Sequence, residues 1–179
     1  MTTPTSTKTY AIDPKHTDVS FSVRHMMLSK VRGNFRTVSG TIELTAGSDI
    51  PATIAAEIDP ASIDSREPDR DAHLRSADFL DAATFGKLTF ASTSVTGSGE
   101  TFRATGDLTI HGVTKSVTLD GVVEGHTTDP WGLDRVAFSA KTRINRKDFG
   151  LTWNQTLEAG GVLVGEDLDI LLEVQAVAK

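Results

Sequence analysis

Apolar and polar residues alternate with a period of two along most of this chain. Successive side chains of a strand point to opposite faces, so the alternation reads as half-buried strands. Asp18–His25 sets Val19, Phe21, Val23 and His25 against Asp18, Ser20, Ser22 and Arg24. Thr41–Leu44 sets Ile42 and Leu44 against Thr41 and Glu43, and Thr53–Ile58 sets Ile54, Ala56 and Ile58 against Thr53, Ala55 and Glu57. Leu88–Val95 opens with Leu88 and Phe90 on one face and then relaxes to small residues. Thr101–His111 places Phe102, Ala104, Gly106, Leu108 and Ile110 together. Val117–Glu124 does the same for Val117, Leu119, Gly121 and Val123. Val136–Ile144 groups Val136, Phe138, Ala140, Thr142 and Ile144, and Leu168–Ala176 groups Leu168, Ile170, Leu172, Val174 and Ala176.

Turn-forming pairs fall between these runs, among them Gly47-Ser48, Asp59-Pro60, Gly97-Ser98-Gly99 and Asp129-Pro130. Strands with one apolar and one wet face belong to antiparallel sheets. Eight of them most economically close into one barrel, which leaves no exposed edge. The fold class is therefore read as all-β: a single eight-stranded antiparallel barrel with one or two short helices. The helical candidates are Pro68–Phe79, with Pro at a first-turn position and acids near its start, and a short turn at Arg146–Phe149. Leu74, Phe79 and Leu80 are expected to face the barrel and lid one end. Residues 1–9 read as a flexible tail and residues 10–179 as the barrel.

Composition narrows the function. The chain has 179 residues, 18 basic and 24 acidic, for a net charge of −6. Such an acidic chain lacks the basic footprint of a nucleic-acid binder. Cysteine is absent, which excludes thiol catalysis, disulfides and cysteine-ligated zinc. No apolar run approaches a membrane-spanning helix, and the N-terminus shows no charged-then-apolar leader, so a cytoplasmic location is expected.

Eight strands enclose a lumen that side chains just fill, or that holds one small ligand. The inward set mixes Phe21, Phe90, Phe102 and Phe138 with Ala56, Ala104, Gly106, Gly121 and Ala140. The small residues read either as room for a ligand or as the taper of a filled barrel. Any ligand would be elongated and apolar. His25 is the polar exception, either a core histidine or a partner for a ligand's head group.

Motifs of common chemistry are missing. There is no H-E-x-x-H, no G-x-S-x-G and no phosphate-binding glycine loop. Among five histidines, His16, His25 and His73 are the set that a distant three-histidine metal site would use. Arg146 suits an anionic group or a structural pairing.

Several blocks, in order, resemble the YceI-like family: Asp13-Pro14-Lys15-His16-Thr17-Asp18-Val19-Ser20-Phe21-Ser22-Val23-Arg24-His25, then Arg70-Asp71-Ala72-His73-Leu74 before Ala77-Asp78-Phe79-Leu80. Gly106–Thr114, Ile144–Gly150 and Val164-Gly165-Glu166 follow. Phe85-Gly86 departs from the family's aromatic-proline pair. The resemblance spans Tyr10 to Val177. It implies an extended lipocalin-like barrel around a long tunnel, binding of long-chain amphiphiles, and a homodimer. The ligand class it implies is an isoprenoid quinone, a polyprenyl intermediate or a fatty-acid derivative, carried or stored without catalysis, with no metal and no other cofactor.

The tunnel wall is expected at Val19, Phe21, Val23, Ile42, Ile54, Leu88, Phe90, Phe102, Ala104, Leu108, Ile110, Val117, Leu119, Phe138, Ala140, Leu168, Ile170 and Leu172. The head group is placed near His25, with His73 and Arg146 as further candidates. The competing readings are a metal-dependent enzyme acting on such a lipid through the histidines, and a stress-linked interaction protein with a filled barrel.

Overall fold

The computed structural model describes residues 5–179. Its strands are β1 (Thr7–Ile12), β2 (Asp18–His25), β3 (Ser29–Phe35), β4 (Val38–Thr45), β5 (Pro51–Ile58) and β6 (Ile63–Asp64), followed by helix α1 (Pro68–Arg75). Then come β7 (Leu88–Ser98), β8 (Thr101–Ile110), β9 (Val113–Thr128), β10 (Asp134–Asn145) and β11 (Val164–Ala178). They lie in the order β1-β4-β5-β7-β8-β9-β10-β11-β2-β3-β6, and β1 also pairs with β11. That last pairing closes a ring of eight antiparallel strands, as the alternation predicts.

The ring is not built from the expected eight runs. β1 closes it, and part of β1 falls in the segment read as a tail; of that segment, residues 1–4 lie outside those described. β2 instead continues the line of β1 along β11, with Tyr10–Ile12 and Asp18–His25 registering on successive stretches of that long strand. β3 likewise continues β4, and β6 continues β5.

All three breaks have a local cause. Asp13 caps a 3-10 turn at Pro14–His16 by accepting from the Lys15 N–H at 3.0 Å. Asp59 does the same at Pro60–Ser62, accepting from the Ala61 N–H at 2.9 Å. Proline withdraws a ladder donor at each point and so ends the strand. Between β3 and β4, the Arg36 N–H donates to the Ser62 carbonyl, and the Asp59 N–H to the Thr37 carbonyl. The three bent strands therefore turn together and open the barrel at that end.

Helix α1 is shorter than the pattern predicts. It stops at Ser76, whose N–H bonds back to the His73 carbonyl. Asp71 is buried and accepts from the Ser65 N–H and hydroxyl at 2.8 and 2.5 Å, which ties α1 to the end of β6. Leu74, and Phe79 and Leu80 just beyond the helix, cover the bent end as expected. No helix among the described residues is long and apolar enough to cross a membrane.

Candidate functional site

The inner faces of the strands enclose one long cavity. Its empty volume is about 1670 Å³, open mouth included. Several inward-facing apolar residues, including Ile54, Ala56, Leu108, Val117, Leu172 and Val174, are only half-buried although they pack on the core. In a filled barrel they would be sealed against their neighbours.

The cavity wall runs through all the predicted positions except one. Ala104 is fully buried in the core cluster and does not face the cavity. Two of the glycines do not create space either. A Cβ on Gly106 would strike the Phe90 ring at 2.6 Å, and one on Gly121 would overlap the Phe102 ring. Each ring lies over a glycine of the neighbouring strand, so those glycines seat aromatic rings in the wall.

The wall also includes residues that alternation does not reveal. Ile12, Phe35 and Ile63 come from β1, β3 and β6, which are too short or too poor in apolar residues to read as strands. In β3 the sequence Ser-Lys-Val-Arg-Gly-Asn-Phe offers only Val31 and Phe35 as large apolar members of its inner set.

The three head-group candidates separate. His25 is half-buried at the end of β2, paired in register with Val164 and Ser29, and is not on the cavity wall. His73 is also off the wall. Its ring meets Phe79 and Trp153 edge-on at 5.0 and 4.7 Å, and its Nε2 lies 2.8 Å from Asp78. His73 therefore braces the aromatic lid from outside, and Phe79 is the member of that stack that reaches the cavity.

Arg146 does line the cavity and is its one charged wall residue among those described. It is buried, and its guanidinium donates to four carbonyls: Gly165 at 2.7 Å, Leu151 at 2.7 Å, Trp153 at 2.9 Å and Val164 at 3.3 Å. Burial pulls its pKa down, and Glu166 opposes that only at a distance. A guanidinium has five N–H groups, so one donor on Nη2 is left over.

His16 bonds Asp13 in the first turn at 2.9 Å. It does not gather with His25 and His73, and no three His, Asp or Glu side chains among the described residues group as a metal site requires. The histidine with the densest polar surroundings is instead His126, which sequence pattern does not single out. Its Nδ1 lies 2.6 Å from Asp49 and its Nε2 2.6 Å from Asp134. The Tyr10 hydroxyl donates to Asp134 at 2.7 Å and Lys8 Nζ donates to it at 2.6 Å.

This cluster ties the β4–β5 turn to β9 and β10 across the end of the barrel opposite α1. The bond to Asp49 raises the His126 pKa, against partial burial. The Lys8 bond leads in holding Asp134 at about 2, and burial followed by the Asp134 bond pushes Tyr10 to about 12.

The YceI-like domain family matches residues 10–176. The chain belongs to that family. Protein YceI of Escherichia coli is 36% identical over 172 residues, covering 95% of this chain and 87% of that protein. The crystal structure of a Campylobacter jejuni YCEI protein superimposes with a TM-score of 0.76 at 31% identity, covering 100% of this chain and 99% of that one. A domain from Saccharophagus degradans described as polyisoprenoid binding superimposes with a TM-score of 0.71, covering 95% and 98%. At 16% identity that likeness speaks for the fold alone. Within this YceI-like chain, Arg146 heads the Arg-Lys-Asp-Phe-Gly block and Asp71 sits in the Arg-Asp-Ala-His-Leu block, so both of these blocks build the bent end of the barrel.

Proposed function

We propose that this YceI-like protein carries or stores one long-chain amphiphile, its chain in the barrel cavity and its polar head beside Arg146. The observation that carries this reading is the wall itself: a long, almost wholly apolar surface with a single cation at the bent end. Burial of a chain there gains roughly 25 cal/mol per Å² of apolar area, so length supplies affinity with few polar contacts. The unspent N–H of Arg146 offers the head one strong donor in a dry setting. An isoprenoid quinone, a polyprenyl intermediate and a fatty-acid derivative all have this form. The polyisoprenoid-binding description of the Saccharophagus degradans domain, which shares the fold, points the same way.

The polar wall residues favour binding over catalysis. Thr17, Ser20 and Thr142 direct their hydroxyl protons to the carbonyls of Gln175, Leu171 and Thr118, and Ser139 directs its proton to Glu124. Thr17, Ser20 and Thr142 are thus paired with carbonyls, which are not bases that would make a nucleophile, and the Ser139–Glu124 pair has no third group among the described residues to complete a triad.

The test is native mass spectrometry of the purified protein, followed by solvent extraction. A near-stoichiometric apolar adduct is expected, and its mass identifies the chain class. Protein that emerges bare, and takes up neither a long-chain fatty acid nor a polyprenol on incubation, would overturn the reading.

A further inference from the structure

The β2–β3 hairpin turns through Met26 and Met27, with the Leu28 N–H donating to the His25 carbonyl at 3.1 Å. Both methionines have positive φ, 53° and 59°. Met26 and Met27 are the central pair of a β-turn within the three-residue loop Met26–Leu28, and positive φ at both positions favours Asn and Gly, because side chains with a Cβ are strained there. Methionine at both positions costs backbone strain and places apolar side chains in water. Met26 is 42% exposed, Met27 63% and Leu28 78%. Met27 rests its sulfur over Gly161 of the β10–β11 connection, where partly exposed Val162 extends the apolar spot.

Behind the tip, β-alternation puts Arg24, Lys30 and Arg32 on the outer face of the hairpin, all exposed. Arg24 and Lys30 are cross-strand partners. Lys30 reaches Asp169 at 3.3 Å, Glu166 is taken by Lys147 at 2.7 Å, and the further acids nearby are exposed Asp167 at the β11 bulge and Glu158 in the adjoining turn. The outer face of the hairpin itself carries three cations and no acid between Arg24 and Arg32, in a chain of net charge −6. The cavity wall runs up to Val23 and Val164, which are neighbours of the tip in the ladder.

We propose that the Met26–Leu28 tip docks on an anionic lipid bilayer. The three apolar side chains enter the interfacial layer while Arg24, Lys30 and Arg32 lie over the anionic headgroups. Docking in this pose sets the Val23–Val164 end of the cavity against the lipid. Asn-Gly at positions 26 and 27 would relieve the strain but remove two of the inserting groups. The docking rests on the chemistry of the tip and is independent of what the cavity holds.

Flotation with vesicles of phosphatidylcholine, with and without phosphatidylglycerol, tests it using the intact protein. Binding to the anionic vesicles is expected, weakening at least tenfold on pure phosphatidylcholine and falling as salt is raised. Replacing Arg24, Lys30 or Arg32 by Gln is expected to weaken binding about fivefold each. Leu28→Asp should abolish it. Leu171→Asp, at an exposed apolar site on β11 away from the tip, should leave it unchanged. Circular dichroism of each variant confirms folding.

Three results would overturn the proposal: no flotation of the wild type, equal flotation with both vesicle types, or flotation of Leu28→Asp at the wild-type level. A wild-type dimer that Leu28→Asp splits, without vesicle binding, would assign the tip to self-association instead.

Discussion

At the scale of single residues, the polar groups are spent at the two ends of the barrel. Arg146 is surrounded by carbonyls, with no carboxylate in contact. A carboxylate would neutralise the guanidinium, whereas four carbonyl dipoles hold its position and leave its charge directed at the cavity end. Block matching and the chemistry of a guanidinium name Arg146 as a head-group candidate, but the carbonyls that hold it were not legible. The Leu151 and Trp153 carbonyls come from a connection that has no periodic pattern, and those of Val164 and Gly165 from the first residues of β11, ahead of its alternating run. His126 was less legible still, because Asp49 lies 77 residues away along the chain. Its network makes a pH prediction.

The His126 pKa is raised above the ordinary value of 6.5, so its contribution to stability is complete below that value and is lost as pH rises through the folded one. Asp134, held at about 2 against an ordinary 3.8, behaves oppositely: its contribution is present above the ordinary value and is lost as pH falls toward 2. The clasp is therefore whole in the mildly acidic range. Thermal melts of the wild type should show higher stability near pH 6 than near pH 9 from this group. His126→Gln should flatten that alkaline limb. An unaltered pH profile in the variant would show that the clasp contributes nothing.

At the scale of elements, alternation identified every long strand, because each keeps one face against the cavity over a run long enough to read. It missed β1, β3 and β6 because each is half of a broken stave. There, capping aspartates, prolines and charged outer faces obscure a short apolar face. The small inward residues were legible as a class but ambiguous in meaning. Gly106 and Gly121 prove to seat Phe90 and Phe102, as Gly33 of the missed β3 seats Phe21, while Ala56 and Ala140 line the cavity. The two kinds of small residue should respond differently to enlargement. Gly121→Ala drives a methyl into the Phe102 ring and should destabilise the fold by about 2 kcal/mol in urea titration. Phe102→Leu in the same chain should recover part of that loss, since the two residues are direct ladder partners. Strict additivity of the two substitutions would show that the ring and the glycine are not coupled.

At the scale of the whole molecule, the closed ring of strands surrounds a cavity, and the core is incomplete along its wall. The inward apolar faces that a filled barrel would seal stay half-buried, and a chain in the cavity would supply the missing contacts. Ligand binding should then act as core packing, stabilising the folded state by mass action. A homologous series of saturated amphiphiles with one head group should raise the unfolding midpoint step by step, each added methylene contributing about 0.8 kcal/mol while it enters the lumen. The series should level off at the length that fills the cavity, because further methylenes remain in water. Ala140→Trp, which builds into the lumen from β10, should move that plateau to shorter chains without changing the slope before it. Substitution at Ala104, buried off the cavity, should not move the plateau. A slope that persists past any length, or a plateau indifferent to Ala140→Trp, would mean that the chains bind on the outside of the barrel.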